Sequence, residues 1–245
     1  MPIWSEEEPV VEAAERRKRY REQVRDEIKQ VALGQLARDG AAALTLTGVA
    51  KEIGVSGPAL YKYFAGRDDL LTELIVDSYA ALAEALRAAA SASAGAPARQ
   101  RLHSVAHAYR DWAVAQPHRY LLLAGTPVPQ RDAPAGTADT ARAVLTPLLE
   151  ILATGGSWPR AEALRAEVAE WIAQLPAVAD WVRDALGPAA TTPPDVALAG
   201  VVTAWARLHG VVGIEAVGLF NGMGLRPATV LALEMDALAD AVGLD

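Results

Sequence analysis

The sequence predicts an all-α protein: an N-terminal three-helix domain of the helix-turn-helix type, followed by a larger helical bundle. Three observations carry this expectation. Apolar residues recur at spacings of three and four along most of the chain, as in helices with one buried face. No segment longer than a few residues alternates apolar with polar, so no half-buried strand is expected. Gly- and Pro-rich stretches fall where one helix would stop and the next begin. With 245 residues, 52% of them hydrophobic, the chain can build one or two cores.

Residues 1–15 are acidic and poorly patterned, so disorder or a frayed first turn is expected there. The run Arg16-Arg17-Lys18-Arg19-Tyr20-Arg21 then opens the first strong helix. It has two readings. One is an arm or helix end that touches phosphates or enters a minor groove. The other is a solvated charged face with Glu22, Asp26 and Glu27 as helical partners. Val24, Ile28, Val31, Leu33 and Leu36 form the apolar stripe of this helix, which ends at Asp39-Gly40.

Residues 45–67 read as two short helices about a tight turn. Thr45 is an N-cap, followed by Leu46, Val49, Ala50 and Ile53 at helical spacing. Gly54 supplies the left-handed stop, and Val55 is expected to tuck under the corner. Ser56 can cap the second helix, with Pro58 tolerated in its first turn. Leu60 and Phe64 point inward, leaving Gly57, Ala59, Tyr61, Lys62 and Tyr63 on the other faces. Such a unit lays its second helix in a DNA major groove.

The block LTLTGVAKEIGVSGPALYKYFAGRDDLL resembles the N-terminal DNA-binding domain of the TetR family of transcriptional regulators. Gly40, Leu44, Val49-Ala50, Gly54-Val55-Ser56, Leu60-Tyr61, Tyr63-Phe64 and Arg67-Asp68-Asp69-Leu70-Leu71 carry the likeness, over residues 22–72. It implies DNA contact from Thr45, Thr47, Ser56, Gly57, Pro58, Ala59, Tyr61, Lys62, Tyr63 and Arg67. Tyr61, Tyr63 and Arg67 match phosphate-contacting positions, and Lys62 can reach a phosphate or a guanine edge. Gly57, Pro58 and Ala59 carry no long polar side chain and Gly48 offers none, so readout leans on Lys62, Thr47 and DNA shape.

Acidic Asp68 and Asp69 suit the first turn of a connecting helix over residues 68–90, within a regulatory and dimerisation domain over 68–245. Residues 1–19 precede the helix-turn-helix domain of 20–67 as a disordered or basic arm. Residues 91–97 are a small-residue linker and the expected domain boundary. Helices follow over 98–116, 118–124, 137–153 (with Pro147 inside), 159–175 and 177–186, separated by Pro-rich loops at 125–136 and 187–194. Two long helices, 195–220 and 227–242, close the chain.

The family likeness implies a homodimer joined by those last two helices. Gly210, Gly213 and Gly218 would allow close approach, and Leu208, Val212, Leu219, Leu231, Leu238 and Val242 would supply apolar area. Trp205-Ala206-Arg207-Leu208-His209-Gly210, with Phe220 later, is similar to an element of one TetR C-terminal subclass, which implies a ligand-responsive regulator. Aromatic residues of the body and one histidine are the candidate ligand contacts: His107, Tyr109, Trp112, Tyr120, Trp171, Trp181 and Trp205, although each aromatic taken singly reads first as a core residue. Such a lining suits a hydrophobic or aromatic small molecule. His103 and His107 stand four apart but lack a matching acid set, so no metal site is expected. His209 is expected to be buried against a backbone carbonyl.

Charge is distributed unevenly. Residues 16–67 hold eleven Lys and Arg against five Asp and Glu, although the whole chain carries −7. A basic head on an acidic body fits a DNA-binding domain attached to one that avoids DNA. The absence of cysteine excludes disulfides, zinc–thiolate sites and a cysteine nucleophile, and is compatible with a cytoplasmic protein. No secretory signal is evident, and no apolar run is expected to span a membrane. No nucleophile elbow, phosphate-binding glycine loop or His-rich metal motif is present, so neither an enzyme nor a cofactor is expected. The expected function is a ligand-responsive repressor that binds double-stranded operator DNA as a dimer. The alternative is a helical interaction or small-molecule-binding protein with a degenerate helix-turn-helix.

Overall fold

The computed structural model describes residues 8–124, 137–187, 190 and 192–245, with side chains from Glu15 onward. Among these residues there are eleven α-helices, two short 3-10 turns and no strand. The chain divides into two compact units, residues 1–74 and 75–245. The expected linker at residues 91–97 lies inside the second unit, and the division falls within a helix.

In the first unit α1 (Glu8–Asp39), α2 (Leu46–Ile53) and α3 (Gly57–Leu60) pack around a core that includes Ile28, Leu44, Val49, Leu60, Phe64 and Leu70, all buried. The helix α1 starts at Glu8, so residues 8–15 are helical where disorder or a frayed first turn is expected from the sequence. The first turn of α4 (Arg67–Ala92) completes this unit.

The second unit holds the rest of α4 and then α5 (Ala98–Ala115), α6 (Pro117–Ala124), α7 (Thr137–Leu152), α8 (Glu162–Gln174), α9 (Pro176–Leu186), α10 (Pro194–Ala216) and α11 (Pro227–Val242). Expected loop residues 125–136, 188, 189 and 191 lie outside the described residues. The second unit is organised around α10, which packs against α5, α6, α7, α8, α9 and α11. A helix with neighbours on most of its faces is apolar on most of its faces. Over 23 residues, with a mean hydropathy of 1.4 in its best window, α10 is long and apolar enough to cross a membrane by length and composition. That corrects the expectation that no such run exists. Half of that window is buried inside the unit, so core packing accounts for its composition.

Two close contacts tighten the bundle. Gly200 lets Leu152 of α7 lie against α10, where a Cβ would stand 3.3 Å from a Leu152 methyl. Gly155, just after α7, faces the Val242 carbonyl so closely that a Cβ would lie 2.7 Å from it, and Gly156 donates its N–H there at 2.8 Å. Ionic contacts bind α5 to its neighbours. Arg99 reaches Asp236 and Asp240 of α11, and Arg110 pairs with Glu215 of α10 at 2.5 Å.

Candidate nucleic-acid interface

The turn between α2 and α3 is built by local chemistry. The Thr45 hydroxyl accepts the Gly48 N–H at 3.0 Å and so caps α2. Gly54 ends it at φ 79°, ψ 25°, a left-handed conformation that glycine adopts at little cost. The Val55 N–H then closes onto the Ala50 carbonyl at 3.0 Å. Two expectations fail here. Ser56 makes no side-chain capping bond. The Val55 side chain is 42% exposed, because it is the backbone, not the valine methyls, that folds back over the helix end.

The recognition segment is shorter than a full helix. Four residues are α-helical, and bonds from Lys62 N to Ala59 O, Tyr63 N to Leu60 O and Phe64 N to Leu60 O carry the turn onward. Leu60 and Phe64 are buried beneath it. Thr47, Ser56, Pro58, Tyr61 and Lys62 are exposed, while Gly57, Ala59 and Tyr63 are half-buried. Tyr61 is 61% exposed, so its hydroxyl and ring are open to a ligand. Thr45 is exposed too, but its hydroxyl is engaged in the cap.

Three arginines hold this surface in place, and only one was a predicted site residue. Arg67 donates to the Leu44 carbonyl at 2.9 Å and the Ala41 carbonyl at 2.6 Å, stapling the 3-10 turn Ala41–Ala43 to the start of α4. Its guanidinium is therefore engaged within the chain. Arg21 of α1 donates to the Lys62 carbonyl at 3.0 Å. Arg25 bonds the Tyr63 carbonyl and Glu73, and lies 4.4 Å from the centre of the Phe64 ring. Together Arg21 and Arg25 satisfy carbonyls left open where the recognition segment ends. Gly48 was read as contributing nothing, yet a Cβ there would lie 2.9 Å from the Thr45 hydroxyl and 3.3 Å from Gln35 of α1. Its bareness makes room for the cap. The signals for these roles were the basic run and a glycine inside a helix, but their partners are distant in sequence.

Of the predicted ligand residues of the second unit, Tyr109, Tyr120 and Trp205 gather about His209, whereas His107 and Trp181 engage other neighbours and Trp171 is exposed. Tyr109 and Tyr120 pack edge to face at 6.2 Å, and the Tyr109 hydroxyl lies 3.0 Å from Nδ1 of His209. Trp205 lies against His209 at 4.7 Å. His209 is half-buried, and its side-chain partner is the Tyr109 hydroxyl as well as the expected kind of backbone carbonyl, that of Trp205. Burial lowers the His209 pKa, against the opposing effect of the Trp205 carbonyl. Burial raises the Tyr109 pKa well above its ordinary value. Trp112 is buried, and its indole N–H has no partner among the described residues. Trp181 donates to Thr146 of α7 at 2.9 Å, and Trp171 is exposed on α8. His107 stacks on His103, whose Nε2 meets Asp236 at 2.9 Å. No group of three or more metal-ligating side chains occurs among the described residues. A cleft of about 470 Å³ opens instead between α4, α5 and α7, lined by alanines, Pro147, Thr146 and the charged Glu84, Arg87, Arg101 and Glu150.

Two family models match the chain. Residues 28–74 match the model described as bacterial regulatory proteins, tetR family. Residues 102–238, more than half of the chain, match the tetracyclin repressor-like C-terminal domain. The chain belongs to the TetR family. Among curated relatives, the HTH-type transcriptional regulators Mb1846 of Mycobacterium bovis and Rv1816 of Mycobacterium tuberculosis are each 36% identical over 141 residues, 57% of this chain. The match spans 60% of the length of those relatives. The crystal structure of SCO4313, described as a candidate regulatory protein, is 40% identical with a TM-score of 0.70, covering 91% of this chain and 98% of that one. A tetR-family protein from Rhodococcus RHA1, 16% identical, covers 90% of this chain and 97% of its own with a TM-score of 0.56, a likeness of fold. This TetR-family chain thus carries both the DNA-binding and the C-terminal parts of the family pattern.

Proposed function

We propose that the chain is a homodimeric transcriptional repressor that binds a pseudo-palindromic operator and is released by a small molecule. The observation that carries this is the built recognition surface of the first unit. Tyr61 and Lys62 stand exposed on a segment fixed by the Thr45 cap, the Gly54 stop and the carbonyl bonds of Arg21 and Arg25. A degenerate helix-turn-helix would not be expected to keep that support. Thr47, Tyr61, Lys62 and Tyr63 take the DNA contacts, and Arg67 acts as a positioning residue for the loop it staples.

Dimerisation is supported by the outer faces of the last helices. Ala206, Gly210 and Ile214 follow one exposed side of α10, and Val217 just after it, Leu219, Met223, Leu225 and Leu233 are all more than half exposed. Of the residues the sequence pointed to, Gly210 and Leu219 are exposed there, whereas Leu208, Val212, Leu231, Leu238 and Val242 are buried in the core of their own chain. An apolar face of this kind suits an isologous contact between two copies. The effector is an amphipathic small molecule in the cleft between α4, α5 and α7. The cleft volume falls in the ligand range, and Arg101 has a buried Nε with no partner among the described residues. A ligand favouring one of two conformations would weaken DNA binding, and DNA would weaken ligand binding reciprocally.

The test is selection of bound sequences from random DNA with the purified full chain, followed by sedimentation of the complex. A twofold-symmetric site bound by two protomers supports the proposal. No enrichment of any sequence would overturn it. Leu233→Lys with Met223→Lys should give monomers that bind that site weakly.

A further inference from the structure

We infer that the N-terminal part of α1 forms a second DNA-contacting element, which binds the phosphates of the duplex just outside the half-site read by the recognition segment. The inference rests on the DNA-binding reading above. Residues 15–25 hold six Lys and Arg against two Glu, and residues 15–23 of α1 are exposed. The family model begins at residue 28, so this helical extension stands outside what the matched pattern covers.

Geometry ties the extension to the recognition surface. Arg21 donates to the Lys62 carbonyl at 3.0 Å, and Arg25, one turn on, bonds the Tyr63 carbonyl. Those bonds fix which face of α1 adjoins the end of the recognition segment. Arg17 and Lys18 precede Arg21 by four and three residues and so share that face. At a rise of about 1.5 Å per residue they lie roughly 5–6 Å further along the helix axis. Arg16 and Arg19, at about 100° per residue, fall on the opposite side of the helix and stand apart from the stripe. The positive surface therefore continues from Lys62 past the end of the recognition segment. Lys18 pairs with Glu22 only at 3.9 Å, with both side chains largely exposed, a contact too weak to withhold it from a phosphate. Such a stripe complements a polyanion continuous with the bound half-site, which is the flanking duplex itself.

The test compares the full chain with R17A/K18A, in which alanine preserves helix propensity. Binding is measured over a salt series on two duplexes, one ending at the half-sites and one longer by about five base pairs, half a helical turn, at each end. The unmodified chain should bind the longer duplex more tightly with a steeper salt slope. On that duplex the variant should lose about 0.9 of slope per phosphate contact removed and bind about tenfold or more weakly at moderate salt. R17K with Lys18 kept should restore both, and unchanged circular dichroism should show that helix content is kept. Equal affinity and slope for chain and variant on both duplexes would overturn the inference. Absence of sequence-selective binding by the unmodified chain would instead overturn the regulator reading on which it rests.

Discussion

Arg25 is the side chain through which the recognition segment depends most on the rest of the first unit. Its guanidinium bonds the Tyr63 carbonyl and Glu73 and covers the Phe64 ring at 4.4 Å. Arg25→Ala removes all three contacts. A hydrogen bond with a charged donor contributes about 1.5 kcal/mol or more, and the cation–π contact about 0.5–1 kcal/mol. The ion pair to Glu73, partly exposed on both sides, adds under about 1 kcal/mol. Together these give roughly 3 kcal/mol, concentrated where the recognition segment ends. Hydrogen exchange of the intact chain is the direct assay, since local opening sets amide exchange. Amides of residues 60–66 should exchange about a hundredfold faster, at about 1.4 kcal/mol per tenfold. Amides of α10 should be unchanged. Arg25→Lys, which keeps the charge but not the planar fork, should fall between. Less than a threefold change at residues 60–66 would refute the view that Arg25 anchors the segment.

Thr45→Ala should lower stability by about 1 kcal/mol through loss of the α2 cap, and Thr45→Ser should recover most of it, as read from urea midpoints. Lys62→Ala should weaken DNA binding and reduce the salt slope by about 0.9 per protomer while leaving the circular dichroism spectrum intact. His209 gives a pH signature whose sign is fixed by its lowered pKa. Below its ordinary value of 6.5 the unfolded chain gains a proton that the folded chain resists, so stability present at neutral pH is lost as pH falls through that value towards the folded one. The urea midpoint should therefore drop more between pH 7.5 and pH 5.5 for the native chain than for His209→Gln.

What could be read in the sequence was set by the range of the interaction. The Thr45 cap and the Gly54 stop join residues within one turn, and both were legible. The helix α11 spans Pro227–Val242, the same bounds that the sequence predicts. The supports of the recognition surface were not legible, because Arg21 finds its carbonyl partner 41 residues away and Arg67 one of its partners 26 residues away. Sequence distance also misled the reading of Val55, where the backbone closure is local but exposure of the side chain depends on the packing around it. In α10 hydrophobic residues face all directions, so periodicity could not tell Leu208 in the core from Ile214 on the surface. The aromatic residues posed the same difficulty. Their types fitted a core as well as a pocket, and only packing separates Tyr109, Tyr120 and Trp205 about His209 from Trp181 against Thr146.

The measurement that bears most directly on the central claim is binding of the purified chain to the intergenic DNA upstream of its own gene, over a salt series and against random DNA. The account predicts tight, sequence-selective binding by two protomers, with log affinity falling steeply and linearly with log salt. Weak binding, equal on the random duplex, both there and on sequences recovered by selection, would contradict it.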